Sequence, residues 1–222
     1  MKPDFWYEMW SKGNIGFHQH GYNKHMQTFT SGLNIHPGSH IFVPLCGKSL
    51  DMIWLANRGY RVTGVEVIEQ AVKAFFEENK LSYRLSRTVD GSIYSGERIT
   101  IYCTDFFKTG LSGMPDIDAV YDRASLIALP PAMRSIYVDH LTNKLSPGTR
   151  TLLVTLDYPQ QEMSGPPFSV TPAEITTLYG SRYHIDCIHS EDCLVNEARF
   201  RQKGLTRLDE HVFLLEKKTG AS

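Results

Sequence analysis

Short apolar runs rich in β-branched residues alternate along the chain with longer stretches in which apolar residues recur every three or four positions. That alternation predicts an α/β domain with a largely parallel sheet. His40-Ile41-Phe42-Val43-Pro44-Leu45 predicts a first strand. Residues 48–58 predict a helix with Leu50, Ile53, Trp54 and Ala56 as its apolar positions and Gly59 as its stop. Residues 61–67 predict a second strand, and 68–79 a helix with Val72, Phe75 and Phe76 on one side. Residues 91–96 read as a turn. Further strands are expected at 99–103, 117–121, 151–156 and 210–216. Pro130-Pro131 opens a helix to about Leu145, because proline is tolerated in the first helical turn. Thr171-Pro172-Ala173-Glu174 sets an N-cap hydroxyl, a proline and an acid in the order a helix start favours. The first 37 residues hold no strand signal and read as a helical or irregular appendage to a single domain of 222 residues.

One core in a chain of this length is stable without cross-links. The 23 basic and 24 acidic side chains leave a formal charge of -1, without the basic excess of a nucleic-acid binder. Mean hydropathy is -0.27, and no run approaches the ~20 apolar residues of a spanning helix. Met1 to Glu8 contains no apolar signal-peptide core, so a cytoplasmic protein is expected. Cys46, Cys103, Cys187 and Cys193 form no C-x-x-C pair and are expected to be reduced structural residues. His18, His20 and His25 fit no usual zinc spacing, so no metal is expected. No sustained heptad demands a partner chain, so a monomer is expected.

In sheets of this kind ligands bind beyond the carboxyl ends of the strands. The residues there are Pro44-Leu45-Cys46-Gly47-Lys48-Ser49, Glu66, Thr104-Asp105 and Asp122-Arg123. Gly47-Lys48-Ser49 suggests a phosphate loop, but position 42 is Phe42 where that motif needs glycine. The dinucleotide pattern G-x-G-x-x-G also fails, with Gly47 alone present. Yet Glu66 stands 19 residues after Gly47, where a carboxylate grips the hydroxyls of a ribose. A ribose-gripping acid without a pyrophosphate cradle points to an adenosine ligand without phosphates, of which S-adenosylmethionine is the common one. Backbone N–H groups around Gly47 are then expected to face its carboxylate. Taken alone, Glu66 could be a surface acid, and Asp105 a helix cap.

Phe42-Val43-Pro44-Leu45-Cys46-Gly47-Lys48-Ser49, Gly64-Val65-Glu66, Tyr121-Asp122-Arg123-Ala124-Ser125-Leu126 and Gly165-Pro166-Pro167-Phe168 resemble the motifs of thiopurine S-methyltransferases, in their bacterial branch. The resemblance runs from about Trp6 to Lys217. It implies a class I methyltransferase fold, Rossmann-like, with a mostly parallel sheet and flanking helices; the aromatics within residues 1–37 add the expectation that this segment is an N-terminal helical lid. It implies S-adenosylmethionine as cofactor, S-adenosylhomocysteine as product, and a small-molecule thiol as acceptor. By the same resemblance Trp10, Leu45, Glu66 and Arg123 contact the cofactor, Thr104 and Asp105 face the adenine, and Arg123 and Arg199 lie near the substrate.

Methyl transfer from a sulfonium to sulfur is an in-line displacement. A heteroaryl thiol ionises readily near neutral pH, so alignment and exclusion of water are expected to suffice without an essential general base. Arg123 suits a planar anionic acceptor, and Asp122 is a candidate to assist proton removal. Trp6 and Trp10 share a helix face, and Trp10 is expected to cover the sulfonium with its π face. Phe17, Phe168 and Arg199 are candidates for the substrate pocket. Methylation of selenium or tellurium oxyanions is the alternative within the enzyme class, because Arg-lined pockets suit anions. A nicotinamide oxidoreductase and a non-catalytic S-adenosylmethionine-binding module are the alternatives outside it. The missing pyrophosphate glycines count against the first, and the acceptor-side residues Arg123, Phe168 and Arg199 against the second.

Overall fold

The computed structural model describes residues 3–13, 18–108 and 113–220. The chain packs as two compact units, Met1–Tyr121 and Asp122–Ser222. The first contains α1 (Pro3–Ser11), α2 (Lys24–Phe29), β1 (His40–Val43), α3 (Asp51–Asn57), β2 (Arg61–Glu66), α4 (Glu69–Glu78), β3 (Arg84–Thr88), β4 (Gly91–Ser95) and β5 (Ile99–Cys103). It ends within β6 (Ala119–Arg123). The second contains α5 (Pro131–Lys144), β7 (Arg150–Asp157), α6 (Pro172–Tyr179), β8 (Tyr183–Asp192), α7 (Ala198–Gln202) and β9 (Asp209–Lys217).

In the first unit the strand order is β3-β4-β5-β2-β1-β6. β5, β2, β1 and β6 are parallel, and the β3–β4 hairpin adds antiparallel to β5. Strands covered on both faces read as continuous apolar runs. Ile41, Phe42, Val43, Val62 and Val65 do so, each at most 3% exposed. The helices bury one stripe: Met52, Trp54 and Leu55 on α3, and Ala71, Val72, Phe75 and Phe76 on α4. In the second unit β9 pairs antiparallel with both β7 and β8. Thr171 caps α6 by accepting the Glu174 N–H at 3.2 Å, as its sequence predicts. The fully buried Arg134 of α5 meets Glu174 of α6 with two contacts of 2.7 Å. No helix among the described residues is long and apolar enough to cross a membrane.

The expected turn at 91–96 is instead strand β4, paired from Gly91 to Ser95 with β3. Both β3 and β8 escape the sequence pattern because almost none of their residues is fully buried. Edge strands need no apolar alternation to stay in place.

Gly64, in the middle of β2, decides how the loop after β1 sits on the sheet. A Cβ there would lie 2.6 Å from Cys46 Sγ and 3.3 Å from Met52 Sδ. The Cys46 N–H also donates to Val65 O at 2.9 Å. The glycine therefore leaves room for the Cys46 side chain. We predict that Gly64→Ala destabilises the protein by about 1–3 kcal/mol through overpacking. In urea melts, Gly64→Ala made on a Cys46→Ala background should cost clearly less than on the parent; an equal cost would contradict this packing account.

Candidate active site

The loop after β1 and the end of β2 are joined through Glu66. The Glu66 carboxylate is 7% exposed. Its Oε2 accepts the Gly47 N–H at 2.8 Å and its Oε1 accepts the Ile68 N–H at 2.8 Å. Burial pushes the Glu66 pKa up, while the N–H groups of Ile68, Gly47 and Val67 pull it back. Leu45 takes φ +43°, a left-handed conformation that costs a residue with a Cβ about 1–2 kcal/mol. Strain of this kind concentrates at functional sites. The Gly47 N–H is committed to Glu66, so among the N–H groups expected to face a ligand carboxylate this one is already engaged. Lys48 is committed too: its Nζ meets both oxygens of Glu78 at 2.7 and 2.8 Å.

Trp10 of α1 is 6% exposed and packs with Ile68 and Ala71, beside Trp6 and Val67. A Cβ built on Gly47 would lie 3.7 Å from Trp10 Cζ2, so the indole borders the loop that Glu66 clips. Tyr7 donates to Val67 O at 3.3 Å. Trp10, Leu45, Gly47 and Glu66 thus come together within the first unit. Thr104 joins them through its backbone, whose N–H donates to Glu66 O at 2.9 Å, while its hydroxyl donates to Asp90 O at 2.6 Å. Asp105 builds its own turn, accepting the Phe107 N–H at 3.0 Å. Phe17 lies outside the described residues.

In the second unit, the run Asp122-Arg123-Ala124-Ser125-Leu126 forms a tight structure of its own. Asp122 is fully buried and its Oδ2 accepts the Tyr137 hydroxyl at 2.6 Å. Burial pushes its pKa up, against hydrogen bonds from Tyr137 and from residues 125 and 126. Arg123 is half-buried, and Ala124 follows at φ +74°. The turn Leu126–Ala128 then offers Ile127 O to the Phe168 N–H at 2.7 Å. Tyr158 donates to Pro167 O at 2.6 Å and Ser169 N–H to Gln160 Oε1 at 2.9 Å, which fixes the 158–169 loop. Gly165 lets the Phe168 ring lie against it, since a Cβ would approach that ring to 2.5 Å. Arg123, Asp122 and Phe168 are therefore linked through one short turn. Arg199 is placed differently: exposed on α7, it pairs with Glu197 at 3.4 Å and stacks over Phe200 at 4.6 Å.

Two residues passed unnoticed in the sequence. Asp51 is 1% exposed, accepts the Asn23 N–H at 2.8 Å and the Tyr121 hydroxyl at 2.9 Å, and so ties the segment before α2 to β6. At the start of a helix an acid reads as an ordinary first-turn residue, so nothing in the pattern marks it. Ala124 falls within a motif, but nothing in the sequence marks its left-handed backbone, which alanine rarely adopts.

The parallel strands, each followed by a helix, and the clipped loop after β1 define the class I methyltransferase fold. The chain aligns with a Burkholderia thailandensis 1,6-didemethyltoxoflavin-N1-methyltransferase solved with S-adenosylhomocysteine, at TM-score 0.62 and 15% identity, over 97% of this chain and 86% of that one. That likeness is one of fold, the fold of S-adenosylmethionine-dependent methyltransferases.

Residues 1–218 match the family model for Thiopurine S-methyltransferase (TPMT). The chain is 46% identical to a thiopurine S-methyltransferase of Nitrosospira multiformis, over 99% of this chain and 100% of that protein. It is 44% identical to one of Pseudomonas fluorescens strain SBW25, over 97% and 99% respectively. It belongs to the thiopurine S-methyltransferase family.

The buried pair Tyr137–Asp122 gives a pH-dependent test. Raised above its unfolded value, the Asp122 pKa makes folding most favourable below that unfolded value and less so as pH climbs through the folded one. Tyr137→Phe removes a donor from the ionised carboxylate, at a cost of about 1.5–3 kcal/mol at neutral pH. The cost should shrink as pH falls and Asp122 protonates. A penalty that denaturant melts find constant from pH 3 to 8 would contradict this.

Proposed function

We propose that the protein transfers the methyl group of S-adenosylmethionine to the sulfur of aromatic or heterocyclic thiols such as thiopurines. The observation that carries this reading is the family match over residues 1–218. S-adenosylmethionine, when bound, supplies an electrophilic methyl group on a sulfonium. The residues of the first unit suit it. Each Glu66 oxygen uses one lone pair on a backbone N–H and keeps another for a hydroxyl of the ribose. Trp10 offers an apolar aromatic wall beside Gly47 and excludes water. Leu45 and Thr104 border the same loop and strand end.

The residues of the second unit suit the acceptor. Arg123 provides planar cationic donors for a thiolate or ring nitrogen. Phe168 offers a flat apolar face on a loop pinned by hydrogen bonds. Asp122, fully buried and engaged with Tyr137, positions Arg123 rather than removing a proton. A heteroaryl thiol reaches the site ionised, so alignment and a dry environment do the remaining work. Anion and cation neutralise each other in the displacement, which low polarity favours. We further propose that the chain acts as one methyltransferase domain, as a cytoplasmic monomer.

The test is transfer of labelled methyl to 6-mercaptopurine, run beside selenite and tellurite. Glu66→Ala should weaken S-adenosylmethionine binding about 10–100-fold, the value of a charged hydrogen-bond acceptor. Arg123→Ala should lower thiol turnover about 10–100-fold. Wild-type binding should also weaken as pH falls through the raised Glu66 pKa, because the protonated carboxyl accepts hydroxyls less well. Turnover on oxyanions with none on thiols would replace the acceptor class, and unchanged cofactor binding in Glu66→Ala would remove Glu66 from the site.

A further inference from the structure

One face of the β7-β9-β8 sheet carries three acids in register. Asp157 of β7 lies opposite Asp209 of β9, and Asp209 lies opposite Asp192 of β8. In the row beside them Thr155, His211 and Ser190 pair across the same strands. Residues directly opposite in antiparallel strands share a face, and like charges placed so repel. Such an arrangement calls for a cation.

Arg207 answers part of that demand. Its Nη2 lies 2.9 Å from Asp157 Oδ1, and its Nη1 contacts Asp209 Oδ2. The Asp192 Oδ1 accepts the Leu194 N–H at 2.9 Å, and the Ser169 hydroxyl lies 3.4 Å from Asp157 Oδ1. Two buried polar atoms of the second row have no hydrogen-bond partner among the described residues: His211 Nε2 and Thr155 Oγ1. The His211 side chain is 10% exposed, and its Nε2 lies 3.7 Å from Asp157 Oδ2. The other ring nitrogen, Nδ1, lies 2.9 Å from Ser190 Oγ. With Nδ1–H donating to that hydroxyl, Nε2 presents its lone pair beside the carboxylates. A histidine oriented by a hydrogen bond to its far nitrogen is the usual form of a metal ligand.

One donor atom each from Asp157, Asp209 and His211 lie within 4.8 Å of one another. We propose that Asp157, Asp209 and His211 form a binding site for a divalent transition-metal ion of the Zn2+ kind, with Arg207 as the counter-ion of the metal-free state. One imidazole nitrogen with two carboxylates suits zinc and its neighbours, whereas magnesium and calcium favour all-oxygen sets. Two donors on one zinc ion stand about 3.3 Å apart, so side-chain rotation brings the three together. The Arg207 side chain is 45% exposed and can turn out into water when the ion enters. The site lies at the foot of the 158–169 loop, through Ser169, whose hydroxyl also accepts the Tyr158 N–H at 3.0 Å. It therefore acts on loop rigidity and takes no part in methyl transfer. The expectation of no metal came from the spacing of histidines and cysteines, and Asp157 stands 52 positions before Asp209, beyond the reach of any spacing rule.

The experiment is calorimetric titration of ZnCl2 into the full chain in chelator-free buffer, with thermal melts alongside. The expected result is one His211-dependent ion per chain that raises Tm. His211→Gln should weaken binding about tenfold or more, and Ser190→Ala, which frees the ring, about tenfold. Arg207→Gln removes the competing cation, so it should bind zinc about tenfold more tightly than the parent. It should also melt lower than the parent without metal, with Zn2+ restoring it. Should His211→Gln fail to fold by circular dichroism, the opposite shifts of Ser190→Ala and Arg207→Gln still decide. No binding by either the parent or Arg207→Gln overturns the proposal, as does binding that His211→Gln leaves unchanged or that Arg207→Gln fails to strengthen.

Discussion

The contact between the Glu66 carboxylate and the backbone N–H groups of Gly47 and Ile68 organises the first unit. It closes the loop after β1 onto the tip of β2 and fixes the start of the chain into α4. Burying a carboxylate is costly unless its oxygens are hydrogen-bonded. Two backbone donors offset much of that cost, and they were themselves groups that needed partners. The strained backbone at Leu45 is tolerable because this clip, the Cys46–Val65 hydrogen bond and the packing of Cys46 over Gly64 hold the loop from three sides. Trp10 then has a firm surface against which to pack.

The second unit solves the matching problem at the end of β6 by similar means. Asp122 turns inward, receives Tyr137, and stabilises the turn that follows. Ala124 takes the left-handed conformation that lets the chain reverse there. That turn in turn holds Phe168 through Ile127. The short run Asp122-Arg123-Ala124-Ser125-Leu126 thus combines a buried anchor, a half-buried arginine and a connection to the loop ahead of α6. Its residues read as one functional motif in sequence because they are one mechanical piece in space.

The parts of the fold that were legible in the sequence are those paid for by burial. β1, β2, β5 and β9 appear as apolar runs, and α4 and α5 appear with their stripes or proline starts. The β3–β4 hairpin and β8 were hidden, because exposed residues such as Arg84, Arg87, His184 and Asp186 carry no periodic signal. At the site, Glu66 and Gly47 were legible from their spacing and their places at strand ends. The direct bond between them was not, since spacing says nothing of which donor an acid will choose. Asp51 was illegible for a related reason: its partners Asn23 and Tyr121 lie 28 and 70 positions away. Arg199 was assigned from likeness of sequence, which carries no information on its exposed ion pair with Glu197.

Acids beyond strand ends invite a ligand-binding interpretation, but here they build loops first. Glu66 accepts the N–H two residues ahead, at Ile68; Asp105 does so at Phe107; Asp192 does so at Leu194. This local bond is the ordinary habit of short carboxylates at turns. What separates a ligand-binding acid from a mere turn-former is therefore not its position but its surroundings. Asp105 pairs with Lys108 at 3.5 Å in partial contact with water, which already satisfies its charge. Glu66 is buried, has no cationic neighbour among the described residues, and borders an indole and a strained loop. A buried anion held only by neutral donors retains acceptor strength that water cannot dissipate. Asp157 and Asp209 in the second unit are singled out on other grounds: they share one arginine that is half in solvent, and the buried His211 Nε2 beside them has no hydrogen-bond partner among the described residues.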